Sequence, residues 1–481
     1  MKSSLQNRKL IGRDSEIRRL QNCVDSDRSE LVALYGRRRI GKTFLVEEFF
    51  NHKFDFRYVG LRNVSTKVQL RQFARRLNEY SGTPVQKFSD WFEAFNALED
   101  YLGSLSKKRK KIVFIDEMPW IDRNRSTFVK ALEGFWNGWA MERNDIVMVA
   151  TGSSTSWMRD KLIGNKGGLH ARVTTHLYLP PFTLKETESY LKSRGMNWDR
   201  FTILEAYMIL GGVPFYYSLL DPSLSLAQNI DHLFFSPGGE LKIEFEHLYS
   251  AIFKNADRYI DVVNALANHK NGLTHTQISK IVGFNGRRLS NILRNLVRSD
   301  FVEVWNQFGC LKRNETFRLS DFYTIFYQTF VKSNNSKDEN WWTKHFQSPK
   351  VRTWEGLSFE MVCLCHHNQI KDALKLSAIA TEMSTWSTPP DEKDGLPGTQ
   401  IDMIIDRADR IINLCEIKFS TGQFILTKAY ERKLQERMAI FRYKTKTNKT
   451  TVNTLITTYG LINPSSHGLI QSYLTMDDLF Q

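Results

Sequence analysis

Apolar residues run unbroken from Leu31 to Tyr35, and beyond a loop that holds Ile40 the apolar residues Phe44, Leu45, Val46, Phe49 and Phe50 fall in a helix-forming stretch. A short apolar run that feeds a helix is the pattern of a strand buried on both faces, as in a parallel sheet. The pattern returns at Ile112–Ile115, where two acids, Asp116 and Glu117, follow the run, and again from Asp145 to Ala150. Between these runs lie a further strand-like stretch, Phe54–Tyr58, a basic helix over Thr66–Tyr80 and a helix over Ser126–Ala140. Upstream, Ile17, Leu20 and Val24 fall on one face of an amphipathic helix. This alternation predicts an α/β fold built on a parallel sheet over residues 1–178.

After Leu177-Tyr-Leu-Pro180-Pro181 the periodicity becomes helical up to Tyr249, which predicts a helical lid over 179–249. Gly211-Gly212-Val213-Pro214 interrupts it, either as a rigid edge against a bound base or as an ordinary interhelical turn. From Asp261 a compact unit follows: a helix over Val262 and Leu266, a capping box at Thr274–Gln277, a helix to Val282 and a turn at Gly283–Gly286. The next helix puts Leu289, Ile292, Leu293, Leu296 and Val297 at core spacing and Arg287, Asn291, Arg294 and Arg298 on the opposite face. Two short strands, Phe301–Trp305 and Thr316–Leu319, then complete a winged helix over 250–332. A polar linker over 333–350 leads to a last domain over 351–481.

At 481 residues the chain exceeds a single core, so several domains are expected. Lys plus Arg total 67 against 52 Asp plus Glu, and the net charge of +15 points to a polyanionic partner, nucleic acid or an acidic surface. With that charge, the Arg/Asn stripe suits a major groove, where these side chains read purine edges; it also suits a solvated face or a packing surface. No apolar run is long enough to span a membrane, and Met1–Arg8 lacks the apolar core of a signal peptide, so a cytoplasmic protein is expected. Five scattered cysteines form no disulfide framework. Cys363, Cys365, His366 and His367 crowd together without a matching pair nearby, and read as a buried helix face rather than a zinc site.

The chemistry begins at Gly36-Arg37-Arg38-Arg39-Ile40-Gly41-Lys42-Thr43, a P-loop between the first strand and its helix. Its glycines turn backbone N–H groups toward phosphates, Lys42 reaches the β/γ oxygens and Thr43 offers a hydroxyl to Mg²⁺. ATP and Mg²⁺ are the expected ligands. Asp116 would hold the Mg²⁺ shell and Glu117 would orient or deprotonate the attacking water. Ser153 and Ser154 follow the next strand at the edge where α/β folds bind ligands, either as γ-phosphate sensors or as turn formers.

In the last domain, Thr399–Asp406 and Ile411–Phe419 read as a hairpin. Glu416 and Lys418, two apart, share one strand face. Asp402 would oppose Glu416 only if the hairpin had a three-residue loop or a bulge, which a tight turn around Ala408-Asp409 would not supply. Two acids and a lysine at a strand centre suit phosphodiester hydrolysis with a hard divalent cation held by Asp402 and Glu416; an exposed hairpin with cross-strand ion pairs is the alternative. Of two upstream acids, Glu355 and Glu360, the second lies further into the domain and is the better candidate.

Gly12-Arg13-Asp14, the P-loop, Asp116-Glu117, Thr151-Gly-Ser-Ser and Gly212-Val-Pro214 together resemble the archaeal-type AAA-related ATPases, relatives of the STAND signalling ATPases, over about residues 8–330. The resemblance implies ATP hydrolysis and a nucleotide contact for Pro214. It also implies a nucleotide-contacting Arg172, although Ala171-Arg172 stands where that family has Gly-Arg. Glu360, Asp402, Glu416 and Lys418 resemble the PD-(D/E)XK nuclease-like domain, a restriction-endonuclease-like α/β fold that often ends these ATPases. The expectation is an ATP-dependent switch acting on DNA with a metal-dependent nuclease. The alternatives are an ATP-regulated DNA-binding protein without cleavage and a STAND-like scaffold for a protein partner or for further copies of itself.

Overall fold

The structure is a computed structural model, and it describes residues 10–84, 86–123, 126–164, 167–169, 171–269, 271–309, 315–462 and 468–481. The chain divides into two compact units, Met1–Pro181 and Phe182–Gln481. Among the described residues no helix is long and apolar enough to cross a membrane.

In the first unit the apolar runs are strands. They are β1 (Glu30–Tyr35), β2 (Phe56–Val59), β3 (Lys111–Asp116), β4 (Ile146–Gly152) and β5 (Thr175–Tyr178), in the order β2-β3-β4-β1-β5. All pairings are parallel, so every strand ends at the same edge of the sheet. Strand alternation then builds two cores. Leu31, Val113, Ile115 and Met148 face an aromatic layer of Phe73, Trp91, Phe95 and Phe128. Val32, Leu34, Phe114 and Val147 face Leu20, Leu45 and Val46. The first unit is therefore α/β, built on an all-parallel sheet.

The second unit opens with helices that include Leu184–Ser193 and Arg200–Leu210. Gly212 has a packing reason there: Phe182 N donates to its carbonyl at 2.7 Å, and an added Cβ would lie 2.1 Å from Phe182 O. Helices Ala256–Ala267, His275–Val282 and Gly286–Arg298 follow, with the Thr274–Gln277 capping box formed as expected. Strands β6 (Leu273–Thr274), β7 (Val302–Trp305) and β8 (Thr316–Leu319) make an antiparallel sheet in the order β6-β8-β7. The tip of the expected wing, 310–314, lies outside the described residues.

The last region holds β9 (Thr381–Thr388), β10 (Thr399–Arg407), β11 (Ile411–Lys418), β12 (Phe424–Ile425), β13 (Thr450–Thr457), β14 (Leu461–Ile462) and β15 (Ile470–Leu474). Five of these form a mixed sheet in the order β15-β13-β11-β10-β9. Phe359, Val362 and Cys363 of the helix Pro349–Cys365 share a core with Met403, Ile405, Cys415 and Ile417. Ile440 and Phe441 of the helix Lys428–Thr445 cover the other face with Ile401, Ile404, Ile412 and Leu414.

The expected linker over 333–350 needs correcting. Residues 335–338 are irregular, but Trp341–His345 is helical, Trp342 is buried, and its backbone N–H donates to Asp231 at 2.6 Å. A buried tryptophan among Phe326, Phe330 and Trp354 ties this stretch to the unit. The Cys/His cluster is structural: His366 Nδ1 lies 2.8 Å from Val362 O, and Leu184 N donates to Nε2 at 3.0 Å. Burial pushes its imidazole down to about 4, so the ring stays neutral.

Two outcomes follow for the second unit. Gly212→Ala forces a backbone shift and lowers stability by about 1–3 kcal/mol, read as a lower urea midpoint. Glu205 and Glu355 are both pushed up to about 7, chiefly by burial, and Glu205 also by Glu355 and Asp199. Acids raised in the folded state contribute stability that is full below their unfolded value and lost as pH rises through about 7. Glu205→Gln therefore raises the melting temperature at pH 8 by the equivalent of about 1–2 kcal/mol and leaves it nearly unchanged at pH 5. An equal shift at both pH values would refute the ionisation account.

Candidate functional site

The P-loop is set by backbone geometry. Gly36 has φ 151°, and a Cβ there would lie 2.4 Å from Leu179 O; Arg39 and Gly41 are left-handed at φ 69° and 87°. The chain can thus turn sharply from β1 into the helix Lys42–Phe49, leaving the amides of its first turn at the strand edge. Lys42 Nζ donates to Gly36 O at 3.1 Å and to Arg37 O at 2.8 Å, so its charge is folded back onto the loop.

Asp116 ends β3 at the same edge and is buried. Thr43 Oγ1 donates to its Oδ2 at 2.8 Å, Glu117 N to its Oδ1 at 2.9 Å, and the Thr151 hydroxyl also bonds Oδ1. These donors are neutral, so they place no positive charge beside the carboxylate. A hydroxyl and a carboxylate converging on one point fit Mg²⁺, with Thr43 and Asp116 as the residues that would hold it. Glu117 sits in the left-handed region at φ 51°, a conformation that for a non-glycine costs about 1–2 kcal/mol. That backbone twist carries its carboxylate to Ser153, whose N–H donates at 3.0 Å and whose hydroxyl bonds the other oxygen. Ser153 therefore holds the candidate catalytic acid directly. Ser154 precedes the short helix Thr155–Trp157 and makes no side-chain cap. Thr151 opens the Thr151-Gly-Ser-Ser motif, but the bond of its hydroxyl to Asp116 emerges only once β4 is known to neighbour β3.

Arg172 is a correction. It precedes β5, and β5 runs parallel to β1 with Val32 opposite Thr175 and Tyr35 opposite Tyr178. Arg172 thus lies at the strand-start edge, away from the P-loop, and its guanidinium meets Met141 Sδ at 3.3 Å. Within this chain it does not reach the site. Pro214 is the first residue of the helix Pro214–Ser218, where its missing N–H has no helical partner to lose.

In the second unit Arg287, Asn291 and Arg294 are exposed along one face of Gly286–Arg298, with Arg298 half-buried beyond them. Arg294 Nη2 donates to Asn291 Oδ1 at 2.7 Å. Arg288, which the spacing does not place in the stripe, is exposed beside them.

The hairpin register differs from the tight turn expected. Met403 pairs with Cys415 and Asp406 with Ile412, so the loop is Ala408-Asp409-Arg410, with Arg410 left-handed at φ 67°. One position beyond the last pair, Asp402 stands across from Glu416, and Ile417 N donates to Asp402 Oδ2 at 3.0 Å. Glu416 is buried and held by two cations and a hydroxyl: Lys418 Nζ lies 2.8 Å from Oε1, the Tyr430 hydroxyl donates to the same oxygen and Arg437 bonds Oε2. Burial, then Asp402, pushes the Glu360 carboxyl up to about 7. Arg318 of β8 lines a cavity of about 90 Å³ with Glu303 and Glu360. Among the described residues no three His, Cys, Asp or Glu side chains are grouped to hold a metal. As arranged, this cluster does not fit a divalent cation. Tyr430 and Arg437 escape a reading of the sequence; their seven-residue spacing puts them on one helix face, but only the fold shows which strand that face meets.

Residues 10–220 match a family described as an ATPase domain predominantly from Archaea. A protein of Methanocaldococcus jannaschii, the uncharacterized protein MJECL04, is 24% identical over 333 residues, 68% of this chain and 70% of that protein. Among solved structures, the Walker-type ATPase PABY2304 of Pyrococcus abyssi is 17% identical, with a TM-score of 0.46 over 67% of this chain and 96% of its own. The ORC2 protein of Aeropyrum pernix, solved with ADPNP and ADP, is 13% identical, with a TM-score of 0.42 over 65% of this chain and 91% of its own. Residues 10–220 form an archaeal-type P-loop ATPase domain. Glu117→Gln should leave ATP binding intact and slow turnover about 10²–10⁴-fold; a single-turnover assay beside an equilibrium titration separates the two, and unchanged turnover would remove Glu117 from the chemistry.

Proposed function

We propose that the protein is an ATP-hydrolysing switch that acts on DNA, in which nucleotide state sets how tightly the second unit holds the duplex. The observation that carries this is the convergence of Lys42, Thr43, Asp116, Glu117 and Ser153 at one strand edge. ATP phosphates take Lys42 from the Gly36 and Arg37 carbonyls, and the amides opening Lys42–Phe49 hold the phosphate oxygens. Mg²⁺, held by Thr43 and Asp116, would supply charge neutralisation to the phosphates. Glu117 leaves Ser153 to orient the attacking water, and the freed Ser153 hydroxyl turns toward the γ-phosphate. Pro214 contacts the nucleotide from the lid.

On the DNA side, the helices and sheet between Ala256 and Leu319 act as a winged helix. Gly286–Arg298 enters the major groove, where Arg287, Asn291, Arg294 and Arg298 meet base edges and phosphates. The chain's net charge of +15 supports a polyanionic partner. The last sheet acts as a nuclease-like domain through Glu360, Asp402, Glu416 and Lys418. A second reading, DNA binding without cleavage, is favoured by one observation: Glu416 is already held by Tyr430, Arg437 and Lys418.

Plasmid DNA incubated with Mg²⁺ or Mn²⁺, with and without ATP, distinguishes the readings when the wild type is compared with Asp402→Ala and Lys42→Ala. Cleavage abolished in Asp402→Ala supports the nuclease, and no cleavage under any condition supports the second reading. In either case Arg287→Ala with Arg294→Ala weakens DNA binding, and the log–log salt slope falls by about 1 for each phosphate that the variant no longer neutralises. DNA affinity independent of ATP and of these arginines would exclude the switch on DNA.

A further inference from the structure

A cavity of about 90 Å³ lies in the second unit where strands β7 and β8 meet the helices Ala256–Ala267 and Pro349–Cys365. Its charged walls are Glu303 of β7, Arg318 of β8 and Glu360 of the second helix. They are unequally engaged. Trp305 Nε1 donates to one oxygen of Glu303 at 3.0 Å, and Cys365 Sγ lies 3.7 Å from the other. Arg318 uses only its Nε, donating to Asn271 O at 3.2 Å, and among the described residues its guanidinium pairs with no carboxylate. Glu360 likewise accepts no hydrogen bond from a described residue. Trp354 also lines the cavity, is 4% exposed and leaves its indole N–H without a partner among the described residues. Half-buried groups of opposite charge that do not meet each other, beside an orphaned donor, are costly unless something else satisfies them.

With Glu303 counted, the walls carry two carboxylates and one guanidinium, a balance that disfavours an anion. A lone amine would stand beside a like charge and leave the Arg318 fork unmet. A molecule with one carboxylate and one ammonium answers both open groups and adds no net charge. Much of the remaining wall is apolar, with Leu266, Leu319 and Ile325, and the volume suits about six to nine non-hydrogen atoms. We propose that this cavity binds a small aliphatic α-amino acid: Arg318 takes its carboxylate, Glu360 takes its ammonium, and its side chain packs on Leu266, Leu319 and Ile325. Bound there, the ligand touches β7, β8 and the helix Pro349–Cys365 at once, and that helix shares its core with β10 and β11. It therefore ties the two parts of the second unit together. The inference rests neither on DNA binding nor on cleavage.

The test is equilibrium dialysis of the full chain against radiolabelled glycine, L-alanine, L-valine and L-leucine. It is run at pH 8, above the value of about 7 to which burial and Asp402 push the Glu360 carboxyl. At least one of the four should bind saturably with a dissociation constant below about 1 mM. Isobutylamine and 3-methylbutanoate, each of which keeps one charge of valine, should compete at least about tenfold less well than that amino acid. Arg318→Met and Glu360→Gln should each weaken binding about tenfold or more. Ala267→Leu, which fills the cavity and keeps both charges, should abolish it. A melting curve reports that each variant is folded, and Arg318→Lys serves if the methionine variant is not. No saturable binding of any of the four, affinity unchanged in these folded variants, or equal competition by either single-charge analogue overturns the inference.

Discussion

Asp116 is the fixed point of the first unit. Its buried carboxylate takes hydroxyls from Thr43, at the start of the helix after the P-loop, and from Thr151, at the end of β4, and the amide of Glu117. Each donor belongs to a different piece of the strand edge, so one side chain sets the spacing of the loop, the acid and the sensor strand. Parallel pairing makes this possible, since it brings the ends of β1, β3 and β4 together without a turn. The cost is a buried anion with neutral partners, which water cannot screen.

Both acid sites are restrained in a parallel manner. Glu117 is held by Ser153, a neutral partner that gives it up at modest expense. Glu416 is held by Arg437 and Lys418, charged partners whose removal leaves a buried carboxylate uncompensated. The first restraint can yield by an exchange of neutral hydrogen bonds alone. The second yields only when another positive charge takes the place of the first.

The local parts of the fold were legible in the sequence because their determinants are local. Gly36, Gly41 and Lys42 encode the loop by backbone conformation, Ile112–Ile115 encodes a strand buried on both faces, and Thr274 with Gln277 encodes a helix start. What was not legible depends on neighbours far along the chain. The opposition of Asp402 and Glu416 turns on Arg410 adopting a left-handed conformation, which no residue in Ala408-Asp409-Arg410 announces as a glycine would. Arg172 was placed by order along the chain, and order does not distinguish the two ends of a parallel strand. The buried Trp342 inside a polar stretch shows the same limit: composition suggested a linker, but one large side chain had a pocket to fill.

The arginines of the second unit stand in two different settings. Arg287, Arg288 and Arg294 are exposed on one helix, where an ion pair forms in water and is screened by salt. Arg318 and Arg437 are half-buried, and burial lowers the affinity of each for its proton. Cations in that setting are costly to keep without anions, so the carboxylates around them stabilise them. Charge screened by water and charge balanced by carboxylates are thereby assigned to different residues.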